Sequence, residues 1–419
     1  MSGLRVLRVY HAAGEAAHRA RDRALQAEGV DVTLVLPRHW PAAATIDDVP
    51  HRLLDARRVG DVNRHTYLGE LSQVLCDLRP ELLDVHEEPV SLAARQWLGA
   101  AGGLPAVMYS AQNIDKRWPP PFAHYERSAL RRVRGLYPCS AQAASVLRGK
   151  GFAGHLEVLP LGLDPAVHRA GDQELPADEV VLGLVGRLVP EKGVQDAVRV
   201  LAAVRRRRPA RLLVVGDGPE RTPARDLAAR LGVADSCSWS SWTDDRSLAV
   251  LYRRMHVVLV PSTATSRWVE QFGRVITEGR AAGAVPAGYA SGSIPEVVGE
   301  VGLLVAEGDV EALSRAVSEL LDRPATWRAM RDSGLDLAGA NAWADIAARQ
   351  VRFYEQALRV APRPLRHPSG ATRRAAAQEF GPSSGTPAGL RPFALPVLRK
   401  PGSGQHLLGQ LVDIVTHQR

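Results

Sequence analysis

Glu270 and Glu278 stand either side of a Phe272-Gly273 turn, and Arg274-Val275-Ile276 opens what the pattern predicts as a helix. The first turn of a helix leaves backbone N–H groups unpaired and carries partial positive charge. Gly273 has no side chain to keep a phosphate or a sugar hydroxyl away from them. Two carboxylates beside such a turn accept hydrogen bonds from hydroxyls, the dense donors of a sugar or a ribose. The chemistry this stretch points to is the holding of a sugar nucleotide. Taken alone, the spacing has a plainer and commoner use. Arg274 and Glu278 at i and i+4 make a solvated helix ion pair worth ~0.3–0.5 kcal/mol.

A second charged stretch changes the odds. Residues 180–186 (V-V-L-G-L-V-G) form an all-apolar strand of the kind buried on both faces. Arg187 and Lys192 follow, bracketing a turn that ends at Gly193. The next helix carries Val194, Ala197, Val198, Leu201 and Ala202 on one face. A departing nucleoside diphosphate carries about three negative charges, and two fixed cations at the ligand end of a parallel sheet stabilise it as the glycosidic bond breaks. Gly216-Asp217-Gly218-Pro219 repeats the strand, glycine turn and helix pattern, and Ile294-Pro295-Glu296-Val297-Val298 follows the glutamate pair.

Together these runs resemble the donor-site segments of retaining glycosyltransferases of family 4, which have the GT-B fold. The phrase G-R-L-V-P-E-K-G is similar to the family's diphosphate-binding loop. The stretch 270–298 is similar to its glutamate, Phe-Gly turn, second glutamate and Gly-x-x-Glu wording. The resemblance covers residues 1 to about 360. It implies an α/β protein of two doubly wound, Rossmann-like domains facing across a cleft, with a last helix crossing back onto the first domain. It implies Arg187, Lys192 and Glu270 as the catalytic set, with both cations on the diphosphate and Glu270 on donor-sugar hydroxyls. Glu278 goes to the ribose, and Phe272, Gly273, Arg274 and Val275 complete the donor cradle. Gly14, Gly186, Gly216 and Trp242 are further donor contacts, Trp242 lying in the loop that lines the base pocket.

The acceptor side is less marked. Where the family commonly has a histidine near the reacting carbon, this chain has Gln112-Asn113. An amide donates and accepts hydrogen bonds but cannot act as a general base near neutral pH. In a retaining displacement on one face, the leaving phosphate can itself take the acceptor's proton. Gln112, Asn113, Glu87 and Glu88 are the acceptor candidates, the two glutamates because they end the strand 82–89 at the sheet's ligand side. No cofactor is expected beyond the nucleotide-sugar co-substrate, UDP- or GDP-linked. Asp47-Asp48 and Asp244-Asp245 are adjacent pairs rather than Asp-x-Asp, so no metal is expected and transfer should be metal-independent.

The elements that must position these residues read as alternating strands and helices. Residues 4–9 form a strand, a turn at Gly14 leads into a helix to about Ala27, and 30–37 form a second strand. Strands over 82–89 and 106–114 follow, then 136–140 with Ser140 as N-cap of a helix over 141–149. Leu159-Pro160-Leu161-Gly162-Leu163-Asp164 matches the wording with which the family ends its first domain. The boundaries expected are 1–165 for the acceptor-binding domain, 166–342 for the nucleotide-sugar domain, 343–360 for the crossover helix and 361–419 for a tail.

That tail is rich in Pro, Gly, Ser and Arg and reads as disordered, with a short amphipathic helix open at 405–415. It holds eight Lys/Arg against two Asp/Glu, or +6 of the formal +8, so the remainder is near neutral and no nucleic-acid surface is implied. No run approaches the ~18 apolar residues of a membrane span. Residues 1–10 read as a strand rather than a signal peptide, and the three scattered cysteines as buried thiols. A cytoplasmic protein is expected, with peripheral contact at the inner membrane face open through the arginine-bearing segment 127–134. The acceptor is left open between small molecule, glycan and lipid-linked sugar. Two rivals stand beside transfer: an epimerase-like enzyme on the same scaffold, and a non-catalytic protein that binds a nucleotide sugar.

Overall fold

In the first half of the chain seven strands run parallel, in the order β3-β2-β1-β6-β7-β8-β9. They are β1 (Arg5–Val9), β2 (Asp31–Pro37), β3 (His51–Leu54), β6 (Leu82–Val85), β7 (Ala106–Ser110), β8 (Gly135–Pro138) and β9 (His155–Leu156). A small antiparallel hairpin, β4 (Ala56–Arg57) and β5 (Thr66–Tyr67), stands apart from this sheet. The helices are α1 (Ala20–Ala27), α2 (Leu71–Leu78), α3 (Leu92–Ala100), α4 (Phe122–Arg132) and α5 (Ala141–Gly149). This computed structural model describes residues 3–40, 46–171, 174–176 and 178–360.

The second half repeats the plan with six parallel strands, ordered β12-β11-β10-β13-β14-β15. These are β10 (Val180–Val185), β11 (Ala210–Val215), β12 (Cys237–Ser240), β13 (Val257–Val260), β14 (Val285–Tyr289) and β15 (Leu303–Val305). Helices α6 (Val194–Arg205), α7 (Arg221–Arg230), α8 (Asp245–Tyr252), α9 (Arg274–Ala281), α10 (Ile294–Val298), α11 (Val310–Leu321) and α12 (Pro324–Gly339) cover it. Central strands are apolar along their length because helices bury both faces; Leu182, Leu184, Leu212 and Val214 all sit in one core with α6. The last helix, α13 (Trp343–Arg359), packs against α1 and puts Phe353 and Tyr354 into the first sheet's core. Each half is a doubly wound α/β layer, as expected.

Several local expectations needed correction. The chain between β1 and β2 does not run as one helix from Gly14. Two short 3-10 turns, His11–Gly14 and Ala16–Arg19, precede α1. Cys76 is exposed rather than buried. At the end of α6, Arg205 and Arg208 donate to the carbonyls of Ala210, Leu321 and Pro176, and Arg207 pairs with Asp322. Within 127–134, Arg132 holds the carbonyls of Gly102 and Leu104 at 2.6 and 2.8 Å, and Arg134 that of Leu358 at 2.9 Å. Among the described residues no helix is long and apolar enough to cross a membrane. The expected tail over 361–419, with its short helix at 405–415, lies outside the described residues.

Candidate active site

A doubly wound sheet has a switch point, where neighbouring strands send their crossovers to opposite faces and leave a crevice at their carboxyl ends. Here the switch points are β1/β6 in the first half and β10/β13 in the second. The charged residues singled out above cluster at these two places.

On the second half, Gly186 and Arg187 follow β10. Arg187 is exposed and has no side-chain hydrogen bond among the described residues. Gly216, after β11, lies back to back with Gly186, and Trp242 is 63% exposed beyond β12. Asp244, two residues on, is spent as the N-cap of α8. Lys192 Nζ lies 2.5 Å from Glu270 Oε2 and 4.9 Å from the centre of the Trp268 ring. Gly193 starts α6 at φ 66°, and a Cβ there would meet the Pro261 carbonyl oxygen at 2.2 Å. Gly273 starts α9 in the same left-handed way, at φ 84°. Both helix starts therefore keep bare backbone N–H groups at the mouth of the crevice.

Phe272 is buried with Ala111 and Cys139 of the first half and Ile276 of the second, while Val275 is partly buried beside it. The i,i+4 ion pair is present: Arg274 Nη2 is 2.7 Å from Glu278 Oε1. It is lopsided, with side-chain exposures of 42% and 8%. Tyr252 donates its hydroxyl to the other Glu278 oxygen at 3.0 Å. The neighbouring Glu278 carboxylate holds the Arg274 guanidinium above its ordinary pKa. A buried carboxylate with two partners is a positioned acceptor, which a solvated surface pair is not.

On the first half, Glu87 is buried at the end of β6 and accepts from the His11 main-chain N–H at 2.8 Å and from His11 Nδ1 at 2.7 Å. Glu88 accepts from the Ser110 hydroxyl at 2.7 Å and the Ala111 N–H at 2.8 Å, and burial raises its carboxyl pKa. The side-chain nitrogens of the two amides proposed for acceptor contact are taken by main-chain carbonyls. Gln112 Nε2 donates to the Ile114 carbonyl at 3.2 Å, and Asn113 Nδ2 to the main-chain carbonyl of Glu270 at 2.7 Å. Asn113 thus ties the first half to the donor segment. Glu296 makes a second tie, taking the Ala141 N–H at the start of α5 with both oxygens, at 2.9 and 2.8 Å. Gly14 is buried, and its carbonyl accepts from Arg19 at 2.8 Å, while Ala12 and Ala16 on either side line the cleft.

That cleft measures about 580 Å³ and draws on both halves. Tyr10, His11, Glu87, Glu88 and Tyr109 line it from the first, and Gln271, Arg274 and Glu278 from the second, with Trp343 of α13 beside them. Glu270, the residue before Gln271, and Lys192 paired with it are not part of the cleft wall. Arg8 and His86 also line this cleft and belong to a buried polar network that extends beneath it. Arg8 pairs with Asp22, donates to Asp84 at 3.1 Å and to His86 Nδ1 at 2.7 Å. Asp84 also accepts from Tyr137 at 2.5 Å and from Tyr354 of α13 at 2.6 Å. A guanidinium only donates, so His86 Nδ1 accepts and Nε2 carries the proton. Burial, then Arg8, hold the His86 pKa well below its ordinary value. His11, His86, Tyr109 and Tyr252 were not picked out from sequence. His11 stands at the end of β1, where the reasoning applied to Glu87 would have found it; Tyr252 had no such signal.

Residues 170–335 match the family model for glycosyl transferases group 1, and residues 22–162 that for the glycosyl transferase 4-like domain. The chain belongs to this glycosyltransferase family. It is 31% identical over 235 residues to a 2-deoxystreptamine glucosyltransferase of Streptomyces kanamyceticus, covering 52% of this chain and 59% of that one. It is 34% identical over 218 residues to a D-inositol 3-phosphate glycosyltransferase of Segniliparus rotundus, covering 49% and 47%. The chain thus spans about half the length of such curated relatives. Among solved structures, sucrose-phosphate synthase of Thermosynechococcus elongatus superposes with a TM-score of 0.65 at 20% identity, over 85% of this chain and 100% of that one. Anabaena HepE, solved with UDP and glucose, gives 0.65 at 16% identity, over 84% and 99%. These likenesses show the GT-B fold.

Proposed function

We propose that the protein transfers a sugar from a nucleoside-diphosphate sugar to an acceptor hydroxyl, with retention and with no metal at the diphosphate. The observation that carries this reading is the Lys192–Glu270 contact of 2.5 Å at the β10/β13 switch point, beside the bare starts of α6 and α9. Arg187 and Lys192 take the diphosphate and offset its growing charge as the glycosidic bond breaks. Glu270, released from Lys192, accepts from donor-sugar hydroxyls. Glu278, held by Tyr252 and Arg274, accepts from the ribose. Gln112 offers no base, so the acceptor's proton goes to the departing phosphate on the same face.

The donor sugar is linked to UDP or GDP, UDP being favoured by the ligand of HepE. The relatives' names point to small cyclitol acceptors, and a cleft of about 580 Å³ accommodates one. The first test is thermal stabilisation by UDP, GDP, ADP and dTDP, on the wild type and on Lys192→Met and Glu278→Gln. A ligand at 100 times its Kd adds about 2.7 kcal/mol. A shift with one nucleotide that both variants lose supports the reading. No shift with any nucleotide would remove it, whereas a shift without turnover on any acceptor would favour a binding protein.

A further inference from the structure

His65, in the loop before β5, is wholly buried, and its Nδ1 lies 3.1 Å from the main-chain carbonyl of Asp61. A carbonyl oxygen only accepts, so Nδ1 carries the proton and Nε2 presents a lone pair. That Nε2 has no hydrogen-bond partner among the described residues. It faces the Glu87 carboxylate, 3.9 Å from Oε1. Two groups that both offer lone pairs do not satisfy each other. The tautomer fixed by Asp61 prevents His65 from donating, so the pair lacks something positive between them.

His11 completes the set, with Nδ1 2.7 Å from Glu87 Oε2, and the ligand atoms of His11, His65 and Glu87 all lie within 4.8 Å of one another. Trp40 covers both imidazoles, at ring separations of 4.5 Å from His11 and 5.0 Å from His65. A zinc ion held by imidazole and carboxylate at about 2.0–2.2 Å needs its ligand atoms roughly 3.3–3.5 Å apart. The distances of 2.7 and 3.9 Å bracket that spacing, so small side-chain shifts suffice. The Asp61 carbonyl already supplies the outer contact that orients a metal-binding imidazole.

We propose that His11, His65 and Glu87 bind a divalent d-block cation, zinc by preference. The ion takes the place of the proton on His11 Nδ1; that proton moves to Nε2, so the imidazole stays neutral as the metal–nitrogen bond forms. Three protein ligands leave a fourth position. His11 and Glu87 line the cleft and His65 stands behind them, so that position opens toward the first half's side of the cleft. An oxygen ligand there, water or an acceptor hydroxyl, would be oriented by the metal. The site is formed at the β1/β6 switch point, and the donor diphosphate at β10/β13 is held by Arg187 and Lys192 without it.

The test uses the full chain, stripped with chelator and free of any histidine tag, in equilibrium dialysis against zinc with cobalt as a visible probe. The expected result is one zinc per chain, and cobalt bands of a four- or five-coordinate ion. His65→Ala and Glu87→Gln should each weaken binding about 100-fold or more, since removing even an outer-shell partner costs 10–100-fold. His39→Ala, an exposed imidazole, should leave it unchanged. His11→Ala, only partly buried, serves if His65→Ala melts early. No stoichiometric zinc in the wild type, or binding that survives all three ligand substitutions, overturns the proposal. Because metal content is read directly, this result is independent of whether any nucleotide binds.

Discussion

The two switch points use charge in opposite ways. At β10/β13, Arg187 is exposed and unpaired among the described residues, and Lys192 has one carboxylate that a ligand can displace. At β1/β6, Arg8 is buried and fully committed to Asp22, Asp84 and His86, with Tyr137 and Tyr354 closing the network. The same strand-and-loop plan thus yields one crevice with cations left for a ligand and another whose cation is neutralised from within. The difference follows from where the carboxylates come from. Asp22 and Asp84 reach Arg8 from beneath the cleft, whereas the acid paired with Lys192 is Glu270, on a segment that borders it. A charge balanced below the floor serves structure, and one balanced at the rim serves binding.

The contrast can be broken most directly at Arg8. Arg8→Ala leaves Asp22 and Asp84 buried without their cation, and losing one partner of a buried pair costs about 3–5 kcal/mol. A thermal melt should fall by several degrees; an unchanged melting temperature would mean the network is not structural. Arg187→Ala should do the reverse. Stability should stay within about 0.5 kcal/mol, as for other exposed sites, while donor turnover falls about 10²-fold, as on loss of one charge-stabilising group. Equal damage to folding and turnover would erase the distinction between the two crevices.

A smaller effect should appear on acidification. The unfolded chain protonates His86 near pH ~6.5, but the folded protein does not, because burial and Arg8 hold that imidazole neutral. Above that pH the group contributes nothing. Below it stability falls, by up to ~1.4 kcal/mol per pH unit, until the folded pKa is reached. Burial lowers His168 and His256 too, so they act with the same sign. Melts from pH 7 to pH 5 should show the loss, and His86→Gln should flatten it. A slope identical in the variant would assign the acid sensitivity elsewhere.

Much of the second half was legible because its functional residues are close in sequence. Arg187 to Gly193 is one short strand-to-helix connection and Glu270 to Glu278 a loop running into α9, so strand, glycine turn and helix start are read in one pass. Glycines at 193 and 273 announced helix starts, and both proved left-handed. The first half was less legible because its contacts join distant segments. Nothing local shows that Asn113 will reach the Glu270 carbonyl, or that Tyr354 will bind Asp84. Gln112 and Asn113 stand at the family's histidine position, and no local pattern shows that their side-chain nitrogens will bond the Ile114 and Glu270 carbonyls.

The sequence by itself determined the two parallel sheets, since all-apolar runs between glycine turns must be buried on both faces by crossover helices. It also determined that cations and carboxylates would stand at strand ends, because the polar residues sit just past each apolar run. Only the tertiary structure decided which of those charges stay available. That depends on how far each is buried and on what reaches it from other segments, as when Tyr252 finds Glu278 or His11 and His65 converge on Glu87. Periodicity records which face of an element is buried. It holds no record of which distant side chain will meet it there.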